Sequence, residues 1–398
     1  MHLAGHVWQP RPGAIAGTVI VNPATGVLAR YYHRYARYLA GAGFVVLTYD
    51  YRGIGGSRPN SLRGCGYRWV DWGRLDFAAV LELATQRWPE QPVSVVGHSI
   101  GGFLPGAAAN ACRIDRLLTV GAQYAWWGDY AAGSRLRLFC KWHLAMPALA
   151  LTFGYFPGRR LGWLEDLPRD VALEWSFRRR HMEMNYSAAE RRDLLASYAT
   201  IHAPILAIGL TDDELGTPAA IDRGLSYYRA APRTRVLLDP SDLGHQRVGH
   251  FGLFHDRHRD DFWAASLKWL YDGVDPFPEV IDQARRKVEA GYMNDDPTTD
   301  DVRQQLELTG LAYADWEKES ADLRRITDRS ALSGFVDRDH LQRAAEMAAA
   351  IEAEMRMLDG LGAGVDDETA QQIRGIRDRL GALLEGLREA ERKLRDTT

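Results

Sequence analysis

The stretch V-S-V-V-G-H-S-I-G-G at residues 93–102 decides the fold. Its β-branched run at residues 93–96 predicts a buried strand, and the glycines after it predict a sharp turn into a helix. Residues 97–101 fit the pattern G-x-S-x-G, with Ser99 at the centre. Gly97 and Gly101 permit a close backbone approach that a β-carbon would block, so the turn lifts the Ser99 hydroxyl clear of the sheet. This context predicts a serine nucleophile.

Short β-branched runs alternate with helical patterns on both sides of this stretch. The unbroken apolar runs indicate strands buried on both faces, as in a parallel sheet covered by helices. The predicted strands cover residues 18–21, 44–49, 93–96, 117–120, 205–210 and 235–238. The predicted helices between them cover residues 30–42, 73–87, 99–111, 219–229 and 262–271. The fold class is therefore α/β, with a doubly wound sheet.

Candidate partners for Ser99 follow two later strands. A serine hydroxyl is a poor nucleophile near neutral pH, so it needs a base, and the base needs an orienting acid. On such a sheet the acid precedes the histidine along the chain, and each follows a strand. After residues 205–210 come three acidic side chains, Asp212, Asp213 and Glu214, and after residues 235–238 come two histidines, His245 and His250.

Five stretches together carry a resemblance to a known family. They are V-N-P-A-T-G at residues 21–26, L-T-Y-D-Y-R-G-I-G-G-S at 47–57, the turn around Ser99, T-D-D-E at 211–214, and G-H-F-G at 249–252. With them, residues 15–273 resemble the α/β-hydrolase superfamily, and within it bacterial serine hydrolases of the serine-aminopeptidase-like branch. The resemblance implies an eight-stranded, mostly parallel sheet flanked by helices, a Ser-His-Asp triad and no cofactor. It implies no substrate, because esterases, thioesterases, amidases and acyltransferases share this scaffold.

The resemblance assigns roles to individual residues. Ser99 becomes the nucleophile, and His250, which stands within the G-H-F-G stretch, becomes the base. His245 also follows a glycine and is the alternate base.

The acid is expected at the usual superfamily offset. Asp212 lies three residues past Gly209, near the end of its strand, and is our expected acid, with Asp213 as the alternate and Glu214 as a third choice. Two adjacent like charges cannot both point at one histidine, so we expect the other aspartate to face solvent or cap a helix.

The oxyanion hole is expected to combine two backbone amides. One belongs to Ile100, directly after the nucleophile, and the other to the loop after residues 18–21. Many relatives carry His-Gly in that loop, where this chain has Asn22-Pro23. Proline has no N–H, so the expected donor is Ala24, or else Thr25.

Other polar residues near the motifs are expected to be architectural. His98 is expected to pack against or orient the turn, and Asp50, Arg52 and Gly53 to shape the loop after their strand. A further group has the composition of a solvated helix start, and we predict no metal there: His255, Asp256, His258, Asp260 and Asp261.

The long interruption at about residues 123–200 is rich in tryptophan, phenylalanine and arginine. Its position between two sheet strands predicts a helical lid over the carboxyl ends of the strands, where open α/β sheets bind ligands. Additional core packing is the alternative explanation.

The chain is predicted to comprise a hydrolase domain at residues 1–273 and a helical tail at 274–398. Apolar residues recur at spacings of three and four in two runs within residues 338–396, which predicts a helical hairpin. They are Leu341, Ala344, Ala348, Ile351, Met355 and Leu358, then Ile373, Ile376, Leu380, Leu383, Leu387, Ala390 and Leu394. Residues 1–273 carry 31 basic and 24 acidic side chains and the tail carries 18 and 28. The opposite net charges favour docking of the tail on the body, and a homodimer or partner docking through the tail is a further hypothesis.

Composition bounds the remaining possibilities. The 398 residues are 46% hydrophobic and 25% charged with a net charge of −3, which is typical of globular protein and gives no reason to expect nucleic-acid or membrane partners. Cys65, Cys112 and Cys140 are odd in number and widely spaced, which favours a reducing compartment. No secretory signal is evident, so we expect a cytoplasmic protein.

The sequence therefore predicts a serine hydrolase that cleaves a carboxylic ester or thioester of a small molecule through an acyl-enzyme. Acyl transfer or amide and peptide cleavage by the same triad is the alternative within enzymes. An interaction module that works through the helical tail is the alternative from another class.

Overall fold

The computed structural model describes residues 1–278, 280, 317, 320, 321, 345, 348, 351, 352, 355, 358 and 367–396. The chain forms two compact units, Met1–Ala284 and Arg285–Thr398. Part of the predicted helical hairpin lies outside the described residues, among it Leu341 and Ala344 of the first apolar run.

The first unit is built on a seven-stranded sheet. Its strands are β1 (Gly5–Trp8), β2 (Gly17–Asn22), β3 (Phe44–Tyr49), β4 (Val93–His98), β5 (Arg116–Val120), β8 (Ile205–Leu210) and β9 (Arg233–Leu238). Their spatial order is β1-β3-β2-β4-β5-β8-β9. Strand β1 pairs antiparallel with β3, and the other pairings are parallel. A two-stranded ribbon, β6 (Tyr155–Phe156) with β7 (Leu167–Pro168), lies outside this sheet.

The predicted α/β fold and all six predicted strands are confirmed, but the implied eighth strand is absent from the described residues. Only β1 precedes β2, and the chain between them contains Pro10, Pro12 and Gly13. Proline cannot donate to a sheet ladder, so this segment forms bends instead of a further antiparallel strand.

Helices cover both faces of the sheet. The α-helices of the first unit are α1 (His33–Gly41), α2 (Trp69–Asp71), α3 (Ala78–Arg87), α4 (Ile100–Phe103), α5 (Arg135–Phe139), α6 (Met146–Phe153), α7 (Gly158–Leu161), α8 (Arg169–Ser176), α9 (Ala188–Ala199), α10 (Pro218–Ser226) and α11 (Ala264–Asp272), and α12 (Asp367–Asp396) belongs to the second unit. Adjacent residues of one strand enter opposite cores: Val95 packs in one buried cluster and Val96 in the other. This double burial explains why the strands read as unbroken apolar runs.

The helix after the Ser99 turn is shorter than predicted. The sequence pattern predicts a helix over residues 99–111, whereas in the structure α4 is followed by a 3-10 turn at Leu104–Ala107. Pro105 and Gly106 explain the change, because proline opposes helix continuation and glycine weakens it. A β-carbon at Gly106 would lie 2.1 Å from the ring of Tyr198 on α9, so the glycine permits that helix to pack closely.

Residues between β5 and β8 form α5–α9 and the β6–β7 ribbon, in agreement with the predicted helical character of this insertion. Aromatic side chains provide its core: the rings of Trp142 and Trp175 stack with centroids 4.7 Å apart. No helix in the described part of the chain is both long and apolar enough to cross a membrane.

The second unit contains the 30-residue helix α12, the C-terminal helical extension. Its buried face packs in one apolar cluster with residues earlier in the same unit. The members of this cluster are Ala348, Ile351, Leu358, Ile373, Ile376, Leu380, Leu383, Leu384 and Leu387.

Candidate active site

Ser99 lies in a strained turn between β4 and α4. Its backbone has φ 54° and ψ −126°, and among the described non-glycine residues only Ala125 shares a positive φ. A side chain in this conformation costs about 1–3 kcal/mol and persists only where the surroundings enforce it. The Ser99 amide donates to the Val120 carbonyl at 2.9 Å, which fixes the turn against β5. Ile100 then opens α4 with its amide at the helix N-terminus.

Glycines on either side make this turn possible. A β-carbon at Gly97 would lie 2.3 Å from the Gly102 Cα, and one at Gly101 would lie 2.4 Å from the Asn22 carbonyl oxygen. Both distances are far below contact, so larger residues would displace the turn. The pattern of glycines that identified the turn in the sequence therefore has a steric cause.

His250 and Asp213 form a buried pair. His250 Nδ1 lies 2.7 Å from Asp213 Oδ2, and the exposed fractions of the two side chains are 7% and 1%. The other carboxylate oxygen, Oδ1, accepts from the Leu215 and Gly216 amides at 2.8 Å each. Burial alone raises the pKa of Asp213, but the charge of His250 and these hydrogen bonds outweigh burial and hold that pKa below its usual value. The carboxylate is therefore ionised, and it directs the His250 Nδ1 proton toward itself.

The expectation that Asp212 orients the histidine is wrong, because Asp213 and not Asp212 is hydrogen-bonded to the imidazole. The Asp212 carboxylate accepts from the Val248 amide at 2.8 Å and from the Gly249 amide at 2.9 and 3.0 Å. It thereby fixes the backbone of the loop that carries His250. The alternate, Asp213, takes the place beside the imidazole.

Two glycines explain why Asp213 reaches the histidine. The Asp213 amide donates to the Leu210 carbonyl in a turn at the end of β8. A β-carbon at Gly216 would lie 2.5 Å from Asp213 Oδ2, and one at Gly121 would lie 2.9 Å from the same oxygen and 3.2 Å from the His250 ring. The carboxylate–imidazole pair thus occupies space that any larger residue at either position would take.

Ser99 and His250 line the same cavity, whose volume is about 260 Å³. No hydrogen bond joins their side chains in the described part of the chain. Ten of its 21 lining residues come from the insertion at residues 123–200, among them Trp142, Trp163 and Trp175. The structure therefore brings the predicted nucleophile, the predicted histidine and the insertion around one space.

The two expected oxyanion donors differ in availability. The Ile100 amide is the first of α4 and has no acceptor within the helix. The Ala24 amide instead donates to the Tyr32 hydroxyl at 3.0 Å. Our first choice for the second donor is therefore already engaged. The alternate, Thr25, also lines the cavity, and its amide makes no hydrogen bond among the described residues.

His98 connects the loop of Ala24 to His250. The Tyr32 hydroxyl lies 2.7 Å from His98 Nδ1, and His98 Nε2 lies 2.8 Å from the His250 carbonyl oxygen. A carbonyl only accepts, so Nε2 carries the ring proton, and Nδ1 accepts from Tyr32, whose oxygen accepts from Ala24. Burial, with a smaller contribution from His250, lowers the pKa of His98 to about 3. His98 is therefore neutral, and its ring links Tyr32 to the backbone of His250 in a network that the sequence did not indicate.

The alternate histidine, His245, lies in a different cluster. Its Nε2 is 3.1 Å from Asp261 Oδ2, and the same oxygen lies 3.0 Å from His258 Nδ1. His258 Nε2 accepts from Arg257, so each ring already has hydrogen-bond partners. His245, His258 and Asp261 lie close enough to ligate one metal ion, but hydrogen bonds account for the arrangement. The sequence did not predict that His245 contacts this group, because His245 and Asp261 are 16 residues apart along the chain.

Two residues that line the cavity were not predicted from the sequence as site residues. Gln123 is 2% exposed and Arg178 is 6% exposed, and both line the cavity. A signal existed for Gln123, because it follows β5 at the carboxyl edge of the sheet, where ligands bind. Arg178 lies in the irregular segment after α8, where sequence periodicity gives no position.

A comparison with one solved structure agrees with this architecture, and a second similar structure is reported beside it. A yeast (Saccharomyces cerevisiae) monoglyceride lipase, solved as a soluble variant with a substrate analogue, aligns with a TM-score of 0.51 at 14% identity over 67% of this chain and 91% of that chain. A monoacylglycerol lipase from Paleococcus ferrophilus aligns with a TM-score of 0.44 at 15% identity over 69% of this chain and all of that chain. A search of curated protein sequences found no match.

The family assignment comes from the sequence of the first unit. Residues 13–236, more than half of the chain, match the model of the family described as serine aminopeptidase, S33. The matched span contains β2 to β5, the Ser99 turn and Asp213. The chain belongs to the serine aminopeptidase S33 family of α/β-hydrolases.

Proposed function

We propose that this chain is a serine hydrolase that cleaves a carboxylic ester or thioester through an acyl-enzyme. Ser99 is the nucleophile, His250 the general base and Asp213 the acid that orients it. One observation carries the proposal. Ser99, on its strained turn, and His250 line the same cavity, and Asp213 is hydrogen-bonded to Nδ1 of the His250 ring.

The chemistry follows from the protonation states. Because the Nδ1 proton of His250 is donated to Asp213, Nε2 is left to accept the Ser99 hydroxyl proton. The serine oxygen attacks the acyl carbonyl, and the carbonyl oxygen, now negative, is stabilised by the Ile100 and Thr25 amides. Collapse of this intermediate expels the alcohol or thiol, which takes its proton from His250.

Water completes the cycle. It attacks the acyl-Ser99 ester while His250 accepts its proton, and the acid product leaves with the serine regenerated. The side chains of Ser99 and His250 come within hydrogen-bonding distance when substrate fills the cavity, as is common for catalytic pairs that are loose without substrate.

The insertion at residues 123–200 serves as a lid in this proposal. It supplies the tryptophans that line the cavity, and apolar rings there exclude water from the acyl-enzyme.

A fluorophosphonate probe tests the assignment. We expect it to label the wild type but not Ser99→Ala, and we expect Ser99→Ala to lose at least about 10³-fold in kcat/KM on a panel of acyl esters of graded length. Ser226→Ala, at an exposed serine of α10, is the matched control and should behave as wild type. Equal labelling of wild type and Ser99→Ala, with both folded by circular dichroism, contradicts the proposal.

A further inference from the structure

More cationic than anionic side chains line the cavity. Four cations line it, Arg137, Lys141, Arg178 and Arg247, against two carboxylates. Glu214 is engaged by Arg137 at 2.5 Å and by the Ser134 hydroxyl. Asp212, as described above, is held by two backbone amides. The carboxylates are thus engaged, while no ion pair holds Lys141 or Arg178 among the described residues.

Arg178 is the least expected of these cations. Its side chain is nearly fully buried, and a guanidinium stays charged in proteins. It donates to the Tyr124 carbonyl, and its charge lies over the rings of Trp69 and Tyr124, 4.9 and 5.2 Å from their centroids. The Nε atom is buried without an acceptor. A buried guanidinium with an unused donor has the chemistry of an anion-binding group.

One carboxylate partly balances this charge. The charge of Glu174 acts on Arg178, but no ion pair joins them, and the Glu174 carboxylate accepts from the Trp69 amide at 2.8 Å. Burial raises the pKa of Glu174 to about 7. Near neutral pH Glu174 is therefore protonated in part of the population, so it does not neutralise Arg178 fully.

Lys141 and Gln123 extend the polar side of the cavity. The Lys141 ammonium lies 4.4 and 4.6 Å from the ring centroids of Trp142 and Trp163, which fixes the cation on an aromatic wall. Burial and the neighbouring Arg137 lower the pKa of Lys141, a cost that an arriving anion relieves. Gln123 is buried, and its Oε1 has no donor. Lys141 therefore joins Arg178 as a cavity cation that no ion pair holds among the described residues, whereas the Gln123 oxygen requires a donor and is not satisfied by an anion.

We propose that the cavity takes an anionic ester, one that carries a carboxylate or phosphate which Arg178 and Lys141 bind while Ser99 meets the ester carbonyl. The inference rests on the proposed function for the position of the scissile bond. A neutral ester would leave the charge of the cavity-lining Arg178 without a counter-ion, whereas an anionic group would pair with that charge. The tryptophan walls then hold the apolar part of the substrate between the anion and Ser99.

Binding to the Ser99→Ala full-length protein tests this without turnover. The probes are a monoalkyl glutarate, its neutral dialkyl ester, and a monoalkyl phosphate, titrated by calorimetry. We expect an anionic probe to bind at least about 10-fold more tightly than the neutral ester, and the tighter of the two anions identifies the charged group. Equal or weaker binding of both anions overturns the inference, whether or not the wild type hydrolyses esters. If the wild type hydrolysed no ester, that result would instead contradict the proposed function.

Matched variants locate the charge. In the Ser99→Ala background, Arg178→Gln should reduce the preference for the anion about 10- to 100-fold. The neighbouring Arg179→Gln, at an exposed position outside the cavity lining, should leave the preference unchanged. Lys141→Gln is the second variant, in case the first misfolds, and should reduce the preference as well. Retention of the full preference in folded Arg178→Gln and Lys141→Gln proteins would overturn the assignment.

Discussion

The buried His98 predicts a specific dependence of stability on pH. Its pKa is about 3 in the folded chain against 6.5 in the unfolded chain. Between these values the unfolded chain binds a proton at this site and the folded chain does not. Folding stability therefore rises with pH in this window and is lost as pH falls below about 6.5.

The size of the effect follows from the shift. Each pH unit below 6.5 is worth about 1.4 kcal/mol, so His98 lowers the free energy of unfolding by about 2 kcal/mol at pH 5 relative to neutral pH. His98→Gln removes the titration while keeping an amide that can donate to the His250 carbonyl and accept from Tyr32. The Asp213 pKa, which is also depressed, acts with the same sign but only near and below pH 4.

Urea unfolding at several pH values between 5 and 8 measures the effect. Tryptophan fluorescence reports mainly on the first unit, because all tryptophans except Trp316 precede residue 285. We expect His98→Gln to be less stable than wild type at pH 7.5 and to lose about 2 kcal/mol less on going to pH 5. Other histidines are common to both proteins and cancel in the difference. Parallel stability curves for the two proteins would refute a neutral, buried His98.

Three further predictions concern the acid, the turn and the tail. Asp213→Asn should lower kcat by about 10³- to 10⁴-fold, whereas Asp212→Asn should retain at least about a tenth of the wild-type kcat, and equal losses in the two variants would contradict the geometry. Gly97→Ala should abolish fluorophosphonate labelling, because its β-carbon meets Gly102 at 2.3 Å, while Gly41→Ala, at an exposed helical glycine with open space around it, should retain labelling. Leu380→Ala should destabilise the second unit by about 2–5 kcal/mol in urea unfolding followed by circular dichroism, against little change for the exposed Gln372→Ala.

The sheet was predictable because each central strand is buried on both faces. A strand with alternate residues in two cores must be apolar throughout, and that constraint is local enough to read from single runs such as residues 44–49 and 205–210. The Ser99 turn was predictable for a similar reason, since its glycines are enforced by contacts within a few residues and with one neighbouring loop.

The choice between Asp212 and Asp213 was not local in this sense. Both follow β8, and the offset from the strand end favoured the first. The decision depends on space beside Asp213 that Gly121 and Gly216 leave open, and on two amides near His250 that Asp212 satisfies. These partners lie on other strands and loops, so the offset of each aspartate from the end of β8 could not predict which of the two binds the histidine.

The second oxyanion donor shows how one departure from the family pattern changes a neighbouring assignment. Asn22-Pro23 stands where the family resemblance leads us to expect His-Gly. The Asn22 side chain binds the turn: its Nδ2 donates to the Gly101 carbonyl at 3.1 Å, and its Oδ1 accepts from Tyr49. The amide of Ala24 is turned toward Tyr32 and, through His98, toward the backbone of His250. The loop proposed to stabilise the oxyanion and the segment that carries His250 are therefore parts of one hydrogen-bonded network. Because Pro23 has no N–H and the Ala24 amide is engaged, Thr25 is the next backbone amide available along this loop.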